Sequence, residues 1–151
     1  MSSPPERVPK FSTGLTAFLG TSESGAEKVI EEAMRLSNGD DFILVLKPSK
    51  GIEDRLIPAY IGALIRKEDG IMHASSLALE TLLFIADTMN IGNAIERASG
   101  TGNKFVIFAS SRALADKISS KLGIKVLKTY RLRLDPKKSS AIAITAARYE
   151  K

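Results

Sequence analysis

The sequence predicts a single α/β (α+β) domain, a mixed sheet of about five strands covered by helices, and three observations point to it. Apolar runs too short for helices, at Leu15–Leu19, Phe42–Leu46 and Lys104–Ala109, alternate with helix-period segments that close on glycine or asparagine. The chain has 151 residues, the size of one hydrophobic core, and no cysteine, so a disulfide scaffold is excluded. Hydrophobic residues at 44% and charged residues at 26% exclude a disordered or fibrous chain.

Residues 1–12, with three prolines, read as a flexible lead, which leaves 13–151 as the domain. Leu15–Leu19 is the first strand. Gly20-Thr-Ser-Glu-Ser-Gly25 turns into a helix near 25–37, with Ser24 and Glu27 as a capping box and Asn38-Gly39 as its stop. Phe42–Leu46 is continuously apolar and reads as a central strand ended by Lys47-Pro48. A helix near 53–67 runs on to Gly70. Ser76–Met89 is the densest apolar stretch, one helix capped by Ser75 or Ser76, and Asn90 caps a shorter helix over 91–98. Lys104–Ala109 is a strand and Ser111–Leu122 a helix ended by Gly123. Lys125–Leu134 alternates, with Val126, Tyr130, Leu132 and Leu134 on one side and Leu127, Thr129, Arg131 and Arg133 on the other. Asp135–Ser140 is a turn, and Ala141–Ala146 is either its hairpin partner or a helix.

Catalytic motifs fail on chemistry. Gly20–Gly25 sits between strand and helix, where a phosphate-cradling loop belongs, but Ala26-Glu27 follows where Lys-Ser/Thr is needed, and Glu23 would repel the ligand. Gly100-Thr-Gly-Asn-Lys104 leaves a helix and enters a strand, the reverse of a dinucleotide turn. His73, the single histidine, has no nucleophile elbow or local acid to work with. Paired acids such as Glu31-Glu32 and Glu68-Asp69 lie at helix or loop edges, where solvation accounts for them. The sequence therefore predicts no catalytic centre, no cofactor and no metal. No signal-like apolar segment or membrane-length run of about 18 residues occurs, so the expectation is a cytoplasmic protein.

Charge is unevenly placed within the net +5. Residues 1–120 hold 13 Lys/Arg against 15 Asp/Glu, while residues 121–151 hold nine against two. Such a basic end fits a phosphate-bearing partner or a solubilising strand pair.

On a helical wheel, Leu79, Leu82, Leu83, Ile85, Ala86, Ala78 and Met89 fill an arc of roughly 160°, the expected core side of the 76–89 helix. Leu77 and Phe84 fall outside it, between a Glu80/Asp87 stripe and a Thr81/Thr88 stripe. An apolar strip framed by polar residues is a docking surface for a protein, its burial contributing roughly 3–6 kcal/mol, unless the next helix, with Ile91 and Ile95, covers it.

The stretch Leu77-Ala-Leu-Glu-Thr-Leu-Leu-Phe-Ile-Ala-Asp-Thr-Met-Asn-Ile-Gly-Asn-Ala-Ile-Glu-Arg97, with His73-Ala-Ser-Ser76 before it and Gly100 and Phe105-Val-Ile-Phe108 after it, resembles the kinase-binding subunit of the KEOPS complex. Glu80, Ile91, Ala94, Ile95 and Gly100 match that family's pattern. The turn Ala86-Asp87-Thr88-Met89-Asn90-Ile91 departs from its Ser-Gly-x-Arg-Gln-Ile, and the last thirty residues do not look like its helical tail. The resemblance is strongest over about residues 55–122. It implies a non-enzymatic subunit that binds the small atypical protein kinase/ATPase of the complex. It also implies recruitment of tRNA by its 3′ CCA end, for threonylcarbamoyladenosine modification catalysed by another subunit.

On that reading Leu77 and Phe84, with Ile91 and Ile95, dock the kinase. Arg66, Lys67, His73, Arg97 and Lys104 hold the tRNA, extended by Lys125, Lys128, Arg131 and Arg133 along the acceptor stem. Two rivals from other classes are a stand-alone nucleic-acid-binding domain using the basic hairpin 125–147, and a small-molecule-binding regulatory domain or enzyme with a pocket around Glu80 and His73.

Overall fold

A computed structural model of the protein describes residues 14–132. The lead 1–12, Arg133, Leu134, the turn at 135–140 and the expected strand or helix at 141–146 lie outside the described residues. The elements are β1 (Thr16–Thr21), α1 (Gly25–Leu36), β2 (Ile43–Leu46), α2 (Glu53–Asp69), α3 (Leu77–Ala86), α4 (Ile91–Ala98), β3 (Lys104–Ala109), α5 (Arg112–Leu122) and β4 (Lys125–Thr129). The α/β class holds. Among the described residues the sheet has four strands in the order β2-β3-β1-β4, and every pairing is antiparallel, so it is not the mixed sheet of about five strands expected.

The difference arises from what lies between the strands. β1 and β2 run parallel to each other with β3 inserted between them, and β3 and β4 run parallel with β1 between, so each β-α-β unit is split and the two interlock. Right-handed crossovers in opposite directions place α1 and α5 on one face. There Ala26, Val29, Ala33, Ala115 and Ile118 pack on Phe18, Ile43, Val45, Phe105, Ile107 and Ala109. In the simple form of this topology β2 and β3 join directly. Here residues 47–103 intervene, and their helices α2, α3 and α4 cover the opposite face, on Ala17, Leu44, Leu46, Val106 and Phe108. Phe42 bridges to Tyr60 and Phe108, each ring pair 5.3 Å apart. No helix among the described residues is long and apolar enough to cross a membrane.

Most helix ends follow their caps. Ser76, Asn90 and Ser111 accept from the N–H groups of Leu79, Asn93 and Leu114, at 3.2, 2.9 and 3.2 Å. Gly70 and Gly123 close α2 and α5 in the left-handed conformation. Two ends depart from expectation. Ser24 is helical and caps nothing with its side chain. The turn is held instead by Ser22, whose hydroxyl accepts from Ser24 N–H (3.2 Å) and donates to the Leu122 carbonyl (2.9 Å). The N–H groups of Ser22 and Ala26 are taken by the carbonyls of Asn103 and Gly102, so the Gly20–Gly25 loop spends these donors within the fold. The long apolar helix stops at Ala86 rather than Met89, because Asp87 adopts a left-handed conformation (φ 54°) and its N–H returns to the carbonyls of Leu83 and Phe84.

One ionic clasp ties α1 to α5. Glu32 accepts from Arg35 at 3.1 and 2.9 Å and pairs with Lys121 at 2.9 Å. The hydrogen bonds from Arg35, then that from Lys121, hold the Glu32 carboxyl at about 2 instead of 4.5. A depressed carboxyl stabilises the fold fully above its unfolded value and loses that effect as pH falls from 4.5 toward 2. Urea midpoints measured at about pH 6 and about pH 3 are therefore expected to drop further for the wild type than for Glu32→Gln; equal drops would show the clasp to be unlinked to stability.

Candidate functional site

β2 lies at the sheet edge rather than at its centre, and a slot opens beside it. α1 overhangs the edge from one face and the α3–α4 pair from the other, leaving a groove of about 400 Å³. Its walls are Ile30 and Met34 of α1, Leu79 and Leu82 of α3, and Ile91 and Ile95 of α4, with β2 as its floor. Met34 is 71% and Ile95 47% exposed, high values for such side chains. The strand edge itself is partly closed: Ser37 Oγ accepts from Ile43 N–H at 3.1 Å, Lys47 N–H donates to the Ala98 carbonyl, and Gly100 N–H donates to Val45. A strand added by a partner would meet these occupied groups, so the groove offers apolar side-chain contacts in place of backbone pairing.

The predicted docking strip is only partly realised. Ile91 and Ile95 line the groove, but Leu77 is 3% exposed and belongs to the core with Ala59 and Ala63. α3 is apolar nearly all round, and α2, α4 and the sheet enclose it, so a residue off the main arc is still internal. Phe84 is half-buried against Ile57, Ile61 and Ile65 of α2, with the Arg66 guanidinium 4.0 Å from its ring centroid.

Arg66 was expected to reach tRNA; it is 1% exposed and part of the interior. Its Nη1 donates to Glu80 Oε2 at 2.6 Å, and Glu80 is itself fully buried. The other carboxylate oxygen accepts from the N–H groups of His73 and Ala74, both at 2.7 Å, and His73 Nδ1 stands 3.7 Å from Oε2. Glu80 thus fastens the α2–α3 loop to the core. Around Glu80 and His73, where the sequence suggests a pocket, the carboxylate is engaged by Arg66 and by the loop N–H groups.

The remaining predicted cations do not converge. Lys67 pairs with Asp40, and His73 keeps 30% of its side chain exposed, both near the end of the sheet where Ile43 faces Ala109. Lys104 begins β3 at the other end, facing Thr21, which also faces Lys125, and both lysines are exposed. Arg97 lies at that second end too, its Nη1 3.5 Å from the carbonyls of Ala86 and Asp87. Lys128 stands 5.3 Å from the Tyr130 ring on the exposed strand β4. Among the described residues no group of three or more His, Asp and Glu is gathered as metal ligands would be.

Sequence reasoning missed Met34, Lys47 and Arg55. Met34 gives a signal in hindsight, since it stands at the outer edge of the apolar arc of an amphipathic α1, between Ile30 and Glu27 on a helical wheel. Lys47 and Arg55 flank the β2–α2 loop and become neighbours of Arg97 only through the fold. No protein-family model matches the chain, and a search of curated proteins returns no match, so the resemblance to the KEOPS subunit stands on the residues that carry it.

Proposed function

We propose that the chain is a non-catalytic adaptor that joins a protein to an RNA. More particularly, we read it as the subunit of a KEOPS-type complex that binds the small atypical kinase/ATPase and recruits tRNA by its 3′ CCA end for threonylcarbamoyladenosine modification. The observation that carries this reading is the apolar groove at the β2 edge, where two large side chains stay exposed on a well-packed domain. Ile91 and Ile95, two of the residues that carry the resemblance, line the groove. The kinase-docking set is accordingly Ile91, Ile95, Leu79 and Met34, with Leu77 and Phe84 acting through the packing of α3. Lys67 and His73 at one end of the sheet, and Arg97 and Lys104 at the other, are the cations offered to phosphates.

The double variant Met34→Glu/Ile95→Glu alters two exposed side chains of the groove and is expected to weaken kinase binding about thirtyfold or more, the scale of a central anchor, with unchanged circular dichroism. Wild-type affinity in that variant would reject the groove as the docking site. A groove of about 400 Å³ also has the size of a small-molecule site, which is the second reading. It predicts a ligand-induced rise in melting temperature that the same double variant abolishes, with no effect on kinase binding.

A further inference from the structure

The sheet end that carries Arg97 holds a second concavity, a cleft of about 200 Å³ between the β2–α2 loop and the C-terminal ends of α3 and α4. Three cations line it, from three elements. Lys47 Nζ donates to the Glu96 carbonyl at 2.7 Å, Arg55 Nη2 donates to the Ile85 carbonyl, and Arg97 Nη1 reaches the Ala86 and Asp87 carbonyls at the 3.5 Å limit of a hydrogen bond. The carbonyls of 85, 86 and 87 are consecutive, so both guanidinium groups are engaged at the C-terminal end of α3, and both residues line the cleft.

Helix C-termini attract cations, and one such capping cation needs no ligand to explain it. A helix end carries only about half a negative charge, however, and three full positive charges meet two helix ends here. Among the described residues none of the three forms an ion pair with a carboxylate, although Glu53, Asp54, Asp87 and Glu96 are close in sequence. Ser49 also lines the cleft, and its hydroxyl makes no hydrogen bond among the described residues. The arrangement holds positive charge together against its own repulsion, with a spare donor beside it, and an anion would relieve it.

We infer that this cleft is a phosphate-binding site, in which Lys47, Arg55 and Arg97 grip a phosphate ester and Ser49 donates to one of its oxygens. The tetrahedral oxygens of a phosphate match two guanidinium forks and an ammonium better than a planar carboxylate does. The volume is below the 300–1,000 Å³ or so of pockets that enclose a small molecule, so the cleft takes the phosphate and leaves the rest of the ester outside. That geometry suits either an end or backbone phosphate of single-stranded RNA or the phosphate of a free nucleotide. The inference deepens the RNA-binding half of the proposed function and rests on it only for RNA as the source of the phosphate.

The test is a titration of the full chain with inorganic phosphate, adenosine monophosphate and a short single-stranded RNA, at constant ionic strength set by chloride, following the arginine Nε–Hε signals by NMR. Saturable shifts of Arg55 and Arg97 are expected with phosphate. The Lys47→Gln/Arg97→Gln variant should bind at least tenfold more weakly, and Lys117→Gln, exposed on α5 over the opposite face of the sheet, should bind as the wild type does. Absence of saturation, or equal affinity in the Lys47/Arg97 variant with its melting temperature unchanged, would overturn the site. Phosphate binding with RNA at least tenfold tighter than the monophosphate supports the site and RNA as the source; RNA no tighter than the monophosphate supports the site and assigns it to free nucleotides, against the RNA-recruiting reading. Kinase binding by the groove is untouched by any of these results, so the two proposals fail separately.

Discussion

Replacing Glu80 by Gln is expected to destabilise the protein by about 3–5 kcal/mol, because it removes one charge of a buried pair and with it the carboxylate that Arg66 Nη1 meets. Arg66 is 1% and Glu80 0% exposed, so water does not compensate. Against a typical total of about 5–15 kcal/mol for a domain, this loss is large enough to read in any urea melt. The pair differs from a simple salt bridge in that Glu80 also accepts the N–H groups of His73 and Ala74. Arg66→Met keeps those two bonds yet leaves a carboxylate in the interior, so it is expected to be destabilised as well. The double variant Arg66→Met/Glu80→Gln buries no charge and keeps an amide oxygen for the two loop donors. It should therefore be more stable than the sum of the single losses allows, by about 1–3 kcal/mol of coupling. Strict additivity would mean that the two side chains do not act as a unit.

The parts of the fold legible in the sequence are those set by local chemistry. Ser76, Asn90 and Ser111 cap helices because their oxygens reach N–H groups three residues on, and Gly70 and Gly123 end helices because they tolerate a left-handed turn. Whatever depends on distant chain was not legible. Ser24 looks like a cap, but Ser22 and the Gly102 carbonyl, some eighty residues away, take over that turn. β2 reads as central because it is buried on both faces; its edge position is hidden by the 98–100 segment bonded along its outer side. The antiparallel order follows from β3, inserted between strands that the chain visits much earlier.

The candidate site shows the same division. A helical wheel ranks the faces of one helix but does not count the helix's neighbours. Ile91 and Ile95, on an amphipathic α4 with one side free, reach a surface as expected, whereas Leu77, on an enclosed α3, does not. Arg66 has the look of a surface cation at the end of α2. Only a partner fourteen residues on, at the start of α3, accounts for its burial.

Leu77→Glu is expected to unfold the protein or cost it more than about 4 kcal/mol, since it combines a lost core side chain with a carboxylate that has no partner. Leu77→Ala isolates the packing part, expected at about 2–5 kcal/mol, because the residue is 3% exposed and its neighbours on α2 and in the sheet cannot all move to fill the space. Ile95→Glu is the contrasting case. Its side chain is 47% exposed, so stability is expected to change by about 0.5 kcal/mol or less while kinase affinity falls. Urea melts of the three variants, followed by far-UV circular dichroism, decide the matter together with co-elution. If Leu77→Glu retained wild-type stability, α3 would have to present that position to solvent, and the strip of Leu77 and Phe84 would regain its place as a docking surface. If it unfolds as expected, any loss of partner binding in that variant reports on folding, and only substitutions along the β2-edge groove test the proposed docking of a kinase.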